Sequence, residues 1–127
     1  MKKNKRKRAA ILVAVVDDDA SVRESLPDLL REFGYSARTF ASAEEFLNSS
    51  ALKRTKCLVL DVTMPGMSGP GLKQELERRG FRVPIVFITA HAEAVTQSGV
   101  NDGLVSCLIK PFSDTDIHAA LKKALGA

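Results

Sequence analysis

The sequence predicts an open, doubly wound α/β sheet of five parallel strands with helices on both faces. Three observations carry this. Five segments of strand length recur along the chain, most of them apolar runs. They alternate with helical or helix-like segments, the pattern of a parallel sheet covered on both sides. With 127 residues, the chain can bury one core but is too short for two ordinary domains or a closed eight-fold barrel.

Ala10 to Val16 is rich in Val and Ile and bounded by charge, as a buried strand is. From Ser21 to Phe33, apolar residues at 22, 26, 29, 30 and 33 have helical spacing, and Gly34 stands where a helix C-cap belongs. Pro27 removes one backbone donor from that stretch and predicts a kink or a late helix start. Tyr35 to Phe40 is the second strand. Ser42 with Glu45 forms a capping box, and a short helix runs on to about Ser50. Cys57 to Leu60 is the third strand. A loop with Pro65, Gly66 and Gly69 leads into a helix from Gly71 to Arg79, stopped by Gly80. Val83 to Ala90 is the fourth strand, opened by Pro84. The stretch 91–102 is poor in helix formers, holding Thr96, Ser98, Gly99 and Asn101. A short or irregular helix is predicted over 94–103. Leu104 to Ile109 is the fifth strand. Pro111 ends it, and Ser113 or Asp114 caps a last helix.

The chain is 45% apolar and 27% charged, usual for a folded soluble protein. No apolar run approaches the roughly 20 residues of a membrane span, so no membrane partner is expected. The start is not a secretory signal, because its apolar run is short and three aspartates follow at once. The net charge of +4 conceals an asymmetry. Six of the 19 basic residues are Lys2, Lys3, Lys5, Arg6, Lys7 and Arg8, and the remaining 13 face 15 acidic ones. Residues 1–9 are therefore a basic tail and 10–127 a mildly acidic folded domain. The tail is read as a disordered, solubilising start; contact with nucleic acid or anionic lipid is the alternative. Cys57 and Cys107 lie in apolar runs without metal-ligand spacing. They are read as free thiols in a reducing, cytoplasmic compartment.

In open α/β sheets, ligands bind beyond the carboxyl ends of the strands, at the point where strand order reverses. Asp17, Asp18 and Asp19 follow the first strand. Asp61 follows the third, Thr89 ends the fourth and Lys110 ends the fifth. Asp19 is read as a helix N-cap. The other carboxylates repel one another at one sheet edge, which implies a cation. An all-oxygen cluster suits Mg²⁺, and the lack of Cys or His disfavours zinc. A lysine beside such a site is a partner for a phosphoryl oxygen, and a threonine hydroxyl can bond one. No dinucleotide-binding glycine pattern follows a strand, and no P-loop is present. The constellation fits an aspartate nucleophile that accepts a phosphoryl group.

The segments VVDDD at 15–19, LVLDVTMPGMSG at 58–69, VFITAH at 86–91 and LIKPF at 108–112 resemble response-regulator receiver domains of bacterial two-component signalling. The likeness spans positions 10 to 125. SVRESLPDLL and SAEEFL further resemble receivers attached to LuxR-type helix-turn-helix domains. The resemblance implies the flavodoxin-like strand order 2-1-3-4-5. It implies Asp61 as phosphoacceptor and Mg²⁺ held by Asp17, Asp18, Asp61 and the carbonyl of Thr63. It also implies Thr89 as the switch hydroxyl and Lys110 as partner of the phosphoryl group, with a cis bond to Pro111. Implied partners are a histidine kinase or phosphotransfer protein and a second copy docked on the output face. Direct DNA binding by this domain is not expected. The chain departs from the family pattern at Cys107, where an aromatic rotamer switch is usual. It departs also at Gly103–Leu104, in place of Gly-Ala, and in a slightly short 89–103 segment, which corresponds to part of the family's output face. In the implied strand order, strands three and five are two spacings apart, about 9–10 Å. A disulfide needs Cα atoms within about 7 Å, so Cys57 and Cys107 should stay free.

Two other functions compete with a phosphorylation switch. A Mg²⁺-dependent phosphatase of the haloacid-dehalogenase type needs a second acid two residues after its nucleophile, and that position is Thr63. An interaction module that keeps only the fold typically loses an acidic residue or the lysine, and none is lost here. Whether the domain works alone or within a longer regulator is left open by a chain that closes on Gly126–Ala127.

Overall fold

The computed structural model describes residues 10–91 and 105–126. They form β1 (Leu12–Val16), α1 (Ala20–Glu32), β2 (Ser36–Phe40), α2 (Ala43–Leu47), β3 (Cys57–Asp61), α3 (Gly69–Arg78), β4 (Ile85–Thr89), β5 (Val105–Ile109) and α4 (Asp114–Leu125). All strand pairs are parallel, in the order β2-β1-β3-β4-β5. The chain thus turns one way from β1 to reach β2 and the other way to reach β3. The point of reversal lies between β1 and β3.

The near-continuous apolar strands follow from this placement. β1, β3 and β4 are buried along their whole length. Successive side chains point to opposite faces. Leu12, Ala14, Val16, Leu58, Leu60 and Phe87 therefore join one core with Phe46 of α2 and Leu72 and Leu76 of α3. Val13, Val15, Val59, Val86 and Ile88 join the other, with Leu26 and Leu30 of α1 and Ile117 and Leu121 of α4. Each fully buried Val, Leu or Ile contributes about 1.5–3 kcal/mol. On the second face, Phe33 and His118 stack with ring centroids 3.9 Å apart, joining the end of α1 to α4.

Three local expectations are corrected. The first helix does not start late: α1 is capped by Asp19 and runs unbroken through Pro27. Burial of Leu26, Pro27 and Leu30 offsets the lost backbone bond. The short helix ends at Leu47 rather than near Ser50. Its capping box is shifted: the Glu45 N–H donates to Ser42 at 3.1 Å, while the Glu45 carboxylate accepts from Ala41 N–H at 3.0 Å. The third helix begins two residues early, at Gly69, because Ser68 caps it and Pro70 suits a first turn. The last helix has the complete box, between Ser113 and Asp116. The tail 1–9 and the helix expected over 94–103 lie outside the described residues.

Cys57 and Cys107 are both free, and β4 stands between their strands. Burial pushes the Cys57 thiol up to about 12 and the half-buried Cys107 thiol up as well. A thiol reagent at neutral pH is therefore expected to modify Cys107 slowly and Cys57 only after unfolding. Rapid native labelling of Cys57, resolved by peptide mapping, would contradict this burial.

Candidate functional site

The site is built at the carboxyl ends of β1, β3 and β5, across the point of strand reversal. Asp17 directly follows β1, and its backbone is fixed on both sides. Its N–H donates to the Phe40 carbonyl at 3.1 Å, and its own carbonyl accepts from the Arg23 guanidinium at 3.0 Å. Asp61 is the last residue of β3, and the following Val62 N–H donates to Ile88 O at 2.9 Å. Two strand ends therefore present carboxylates from ladder-held backbone rather than from a free loop.

Oxygens of Asp17, Asp18 and Asp61 all lie within 4.8 Å of one another. Asp17 is fully buried and Asp61 is 6% exposed, whereas Asp18 is open to solvent. Asp17 Oδ1 accepts from Asp19 N–H at 2.9 Å. Its Oδ2 lies 3.0 Å from Lys110 Nζ, an ion-pair contact. The ammonium is not aligned for a hydrogen bond, so this buried oxygen has no aligned donor. Burial and the Asp17 charge push the Asp61 carboxyl up to about 7, against a smaller pull from Lys110. Burial alone would pull the Lys110 ammonium down; Asp17, with Asp61 and Asp19 behind it, more than reverses this and holds it up.

Such a cluster is short of positive charge. Three carboxylates share one lysine, and one carboxyl binds its proton abnormally well. All the donors are hard oxygens, and Asp18 is open to water. That donor set fits Mg²⁺, which takes carboxylates and retains water.

The remaining predicted residues stand at the rim. Thr63 is exposed, and its N–H approaches Asp61 Oδ1 at a long 3.4 Å. Thr89 is 1% exposed at the end of β4. Its hydroxyl accepts from His91 N–H at 3.0 Å and bonds no carboxylate among the described residues. Lys110 follows β5, its N–H donates to Thr89 O at 2.7 Å, and its bond to Pro111 is cis. Asp19 caps α1, with its carboxyl held low by the hydroxyl and N–H of Ser21.

Sequence reasoning missed three supports. Arg23, one turn into α1, grips the Asp17 carbonyl. Glu44 of α2 accepts from Met67 N–H at 3.3 Å and so ties down the loop after β3. Gly69 packs directly on the end of β3. A Cβ there would collide with the Asp61 carbonyl oxygen and stand 3.0 Å from Phe87 and Val62. The glycine was visible in the sequence, but its neighbours are not its neighbours in the chain. We expect Gly69→Ala to cost about 1–3 kcal/mol by overpacking, measured by urea unfolding. An unchanged midpoint would show that the strand end yields freely.

A five-stranded 2-1-3-4-5 sheet with an acidic cluster at its switch point defines a class of signalling domain. The profile of the response regulator receiver domain matches residues 13–122, and the chain belongs to that family. The family is one of signalling switches, partnered by kinases or phosphotransfer proteins. Nodulation protein W of Bradyrhizobium diazoefficiens is 42% identical over 114 residues, 89% of this chain and 50% of that protein. The transcriptional regulatory protein TdiR of Thauera aromatica is 42% identical over 117 residues, 91% of this chain and 52% of that protein. The chain spans about half the length of these curated relatives. Among solved structures, FixJ-N has a TM-score of 0.77 at 31% identity, covering 93% of this chain and 95% of that one. The response regulator StyR has a TM-score of 0.77 at 40% identity, covering 93% of this chain and 60% of that one. No helix among the described residues is long and apolar enough to cross a membrane.

Proposed function

We propose that residues 10–127 are a phosphorylation-dependent switch in which Asp61 accepts the phosphoryl group, residues 1–9 being a basic tail. The observation that carries this is the convergence of Asp17, Asp18 and Asp61 within 4.8 Å beside Lys110. An oxygen of Asp61 attacks phosphorus. The bond from phosphorus to the donor, a histidine nitrogen of a kinase or phosphotransfer protein, breaks as the new O–P bond forms. The departing imidazole keeps the electron pair and takes a proton. Lys110 lies beside Asp17 and is placed to turn its ammonium to a phosphoryl oxygen. Among the described residues, the Thr89 hydroxyl bonds the His91 backbone and must release it to do the same.

Asp17, Asp18, Asp61 and the Thr63 carbonyl would hold Mg²⁺. Its charge, when bound, offsets that of the phosphoryl oxygens and keeps Asp61 ionised as a nucleophile. The same residues assist hydrolysis of the acyl phosphate, so the domain resets itself. The readout is a change at the output face, there meeting a second copy or an attached output domain, in the cytoplasm.

The test is incubation with acetyl phosphate followed by intact mass measurement. One phosphoryl group is expected with Mg²⁺ and none with EDTA. Uptake indifferent to the metal would contradict the proposal. Calorimetry should show weak, millimolar-range Mg²⁺ binding that Asp18→Ala abolishes, since few protein ligands and retained water give modest affinity. Unaltered binding in that variant would move the metal elsewhere.

A further inference from the structure

The slight negative charge of residues 10–127 makes DNA contact unexpected, but the fold segregates that charge. The carboxylates of the site gather at the carboxyl ends of the strands. The opposite end, where β3 and β4 begin, is basic. Lys53, Arg54 and Lys56 precede β3, while Arg78 ends α3 and Arg79 and Arg82 lie between it and β4.

This end is held in shape. Arg54 N–H and Thr55 N–H both donate to Ala51 O, at 2.9 and 3.0 Å, and Ala51 is fully buried. On the other side, Gly80 has φ +85 and Phe81 N–H donates to Leu76 O at 2.9 Å, closing α3 tightly. Lys53 and Arg82 line the same shallow groove of about 80 Å³ with Thr55 and Phe81.

The charge there is not neutralised. Arg78 and Arg79 share one carboxylate, Glu75, at 2.6 and 2.7 Å. Glu77 is taken by Lys73 at 2.8 Å. Lys53, Arg54, Lys56 and Arg82 are exposed and form no ion pair among the described residues. Two guanidiniums on one carboxylate leave a further positive charge beside these four. β1 begins at the same end: Lys56 N–H donates to Leu12 O at 2.9 Å. In the sequence, six further cations at positions 2–8 precede Leu12.

We propose that this basic end of the domain binds the phosphate backbone of duplex DNA without reading its sequence. A duplex presents one charge per about 1.7 Å of axis, a density that rewards clustered cations through counterion release. Phe81, the more exposed aromatic side chain lining this groove, is half-buried against the core, which leaves little ring face on which unpaired bases could stack. A membrane surface is the weaker match. Ile11 is the one large apolar side chain exposed at this end among the described residues, and stable attachment to lipid needs apolar insertion beside charge.

Fluorescence anisotropy with a labelled duplex of arbitrary sequence, titrated at several salt concentrations, tests this on the whole chain. Each phosphate contact contributes about −0.9 to the slope of log affinity against log salt. The triple variant Lys53→Gln, Arg54→Gln, Arg82→Gln should make that slope shallower by about 2–3 and weaken binding on the order of a hundredfold at about 0.1 M salt. Its phosphoryl uptake and circular dichroism should stay those of the parent chain, which separates this surface from the phosphoacceptor site. Absence of duplex binding by the parent chain overturns the proposal. So does an unchanged slope in the variant, or binding to phosphatidylserine vesicles with none to the duplex.

Discussion

Asp61→Asn is expected to take up no phosphoryl group and, without Mg²⁺, to be more stable than the parent chain above neutral pH. The first half follows from chemistry, because an amide is not a nucleophile toward phosphorus as a carboxylate is. The second follows from linkage. Burial and Asp17 raise the folded-state value of Asp61 from 3.8 to about 7. Below about pH 4 both folded and unfolded chains hold this proton, and its contribution to stability is fully present. As pH rises, the unfolded chain releases the proton first, and stability falls until the folded chain releases it near pH 7. Asparagine has nearly the same shape and no proton to lose. The variant should therefore match the parent at about pH 4 and exceed it by roughly 1–3 kcal/mol at about pH 8, allowing for solvent at the sheet edge. Urea unfolding at the two pH values checks this. A variant less stable than the parent at pH 8 would mean that the Asp61 charge is well compensated.

Lys110→Met should have the opposite effect. Asp17 has no exposed surface, and Lys110, with a 20% exposed side chain, is the cation at its Oδ2. Removing one partner of a buried pair leaves a charge without compensation, a loss of about 3–5 kcal/mol when the pair is fully dry. With the lysine partly wet, about 2–3 kcal/mol is expected here. Because the missing quantity is charge, millimolar Mg²⁺ should restore more stability to this variant than it adds to the parent. Equal metal-induced gains in the two proteins would show that Lys110 and the metal do not neutralise the same carboxylates.

The sheet was legible because its strands are buried on both faces. Runs such as Leu12–Val16 and Ile85–Ile88 are uninterrupted by polar residues, and only a central strand of a parallel sheet needs that. The site was legible because the fold rule names a position, after the strands, and Asp17, Asp18, Asp61 and Lys110 occupy it. What escaped was set by packing between distant segments. Pro27 is a helix breaker by local rules, yet tertiary burial carries α1 through it. Arg23 on the Asp17 carbonyl, Glu44 on the loop at Met67 and the Phe33–His118 stack each join parts of the chain whose separation or direction carries no periodic signal. Thr89 ends β4 as the sequence indicates, but its hydroxyl bond to His91 depends on the local turn after β4.

The central claim is that the carboxylate ending β3 is the phosphoacceptor. Borohydride reduction of the phosphorylated chain, followed by peptide mapping, tests it most directly, because hydride cleaves an acyl phosphate and converts the labelled aspartate to homoserine. The account predicts homoserine at position 61 alone, in an amount equal to the phosphoryl group taken up. Homoserine at position 17 or 18, or a phosphoryl group that resists reduction, would contradict it.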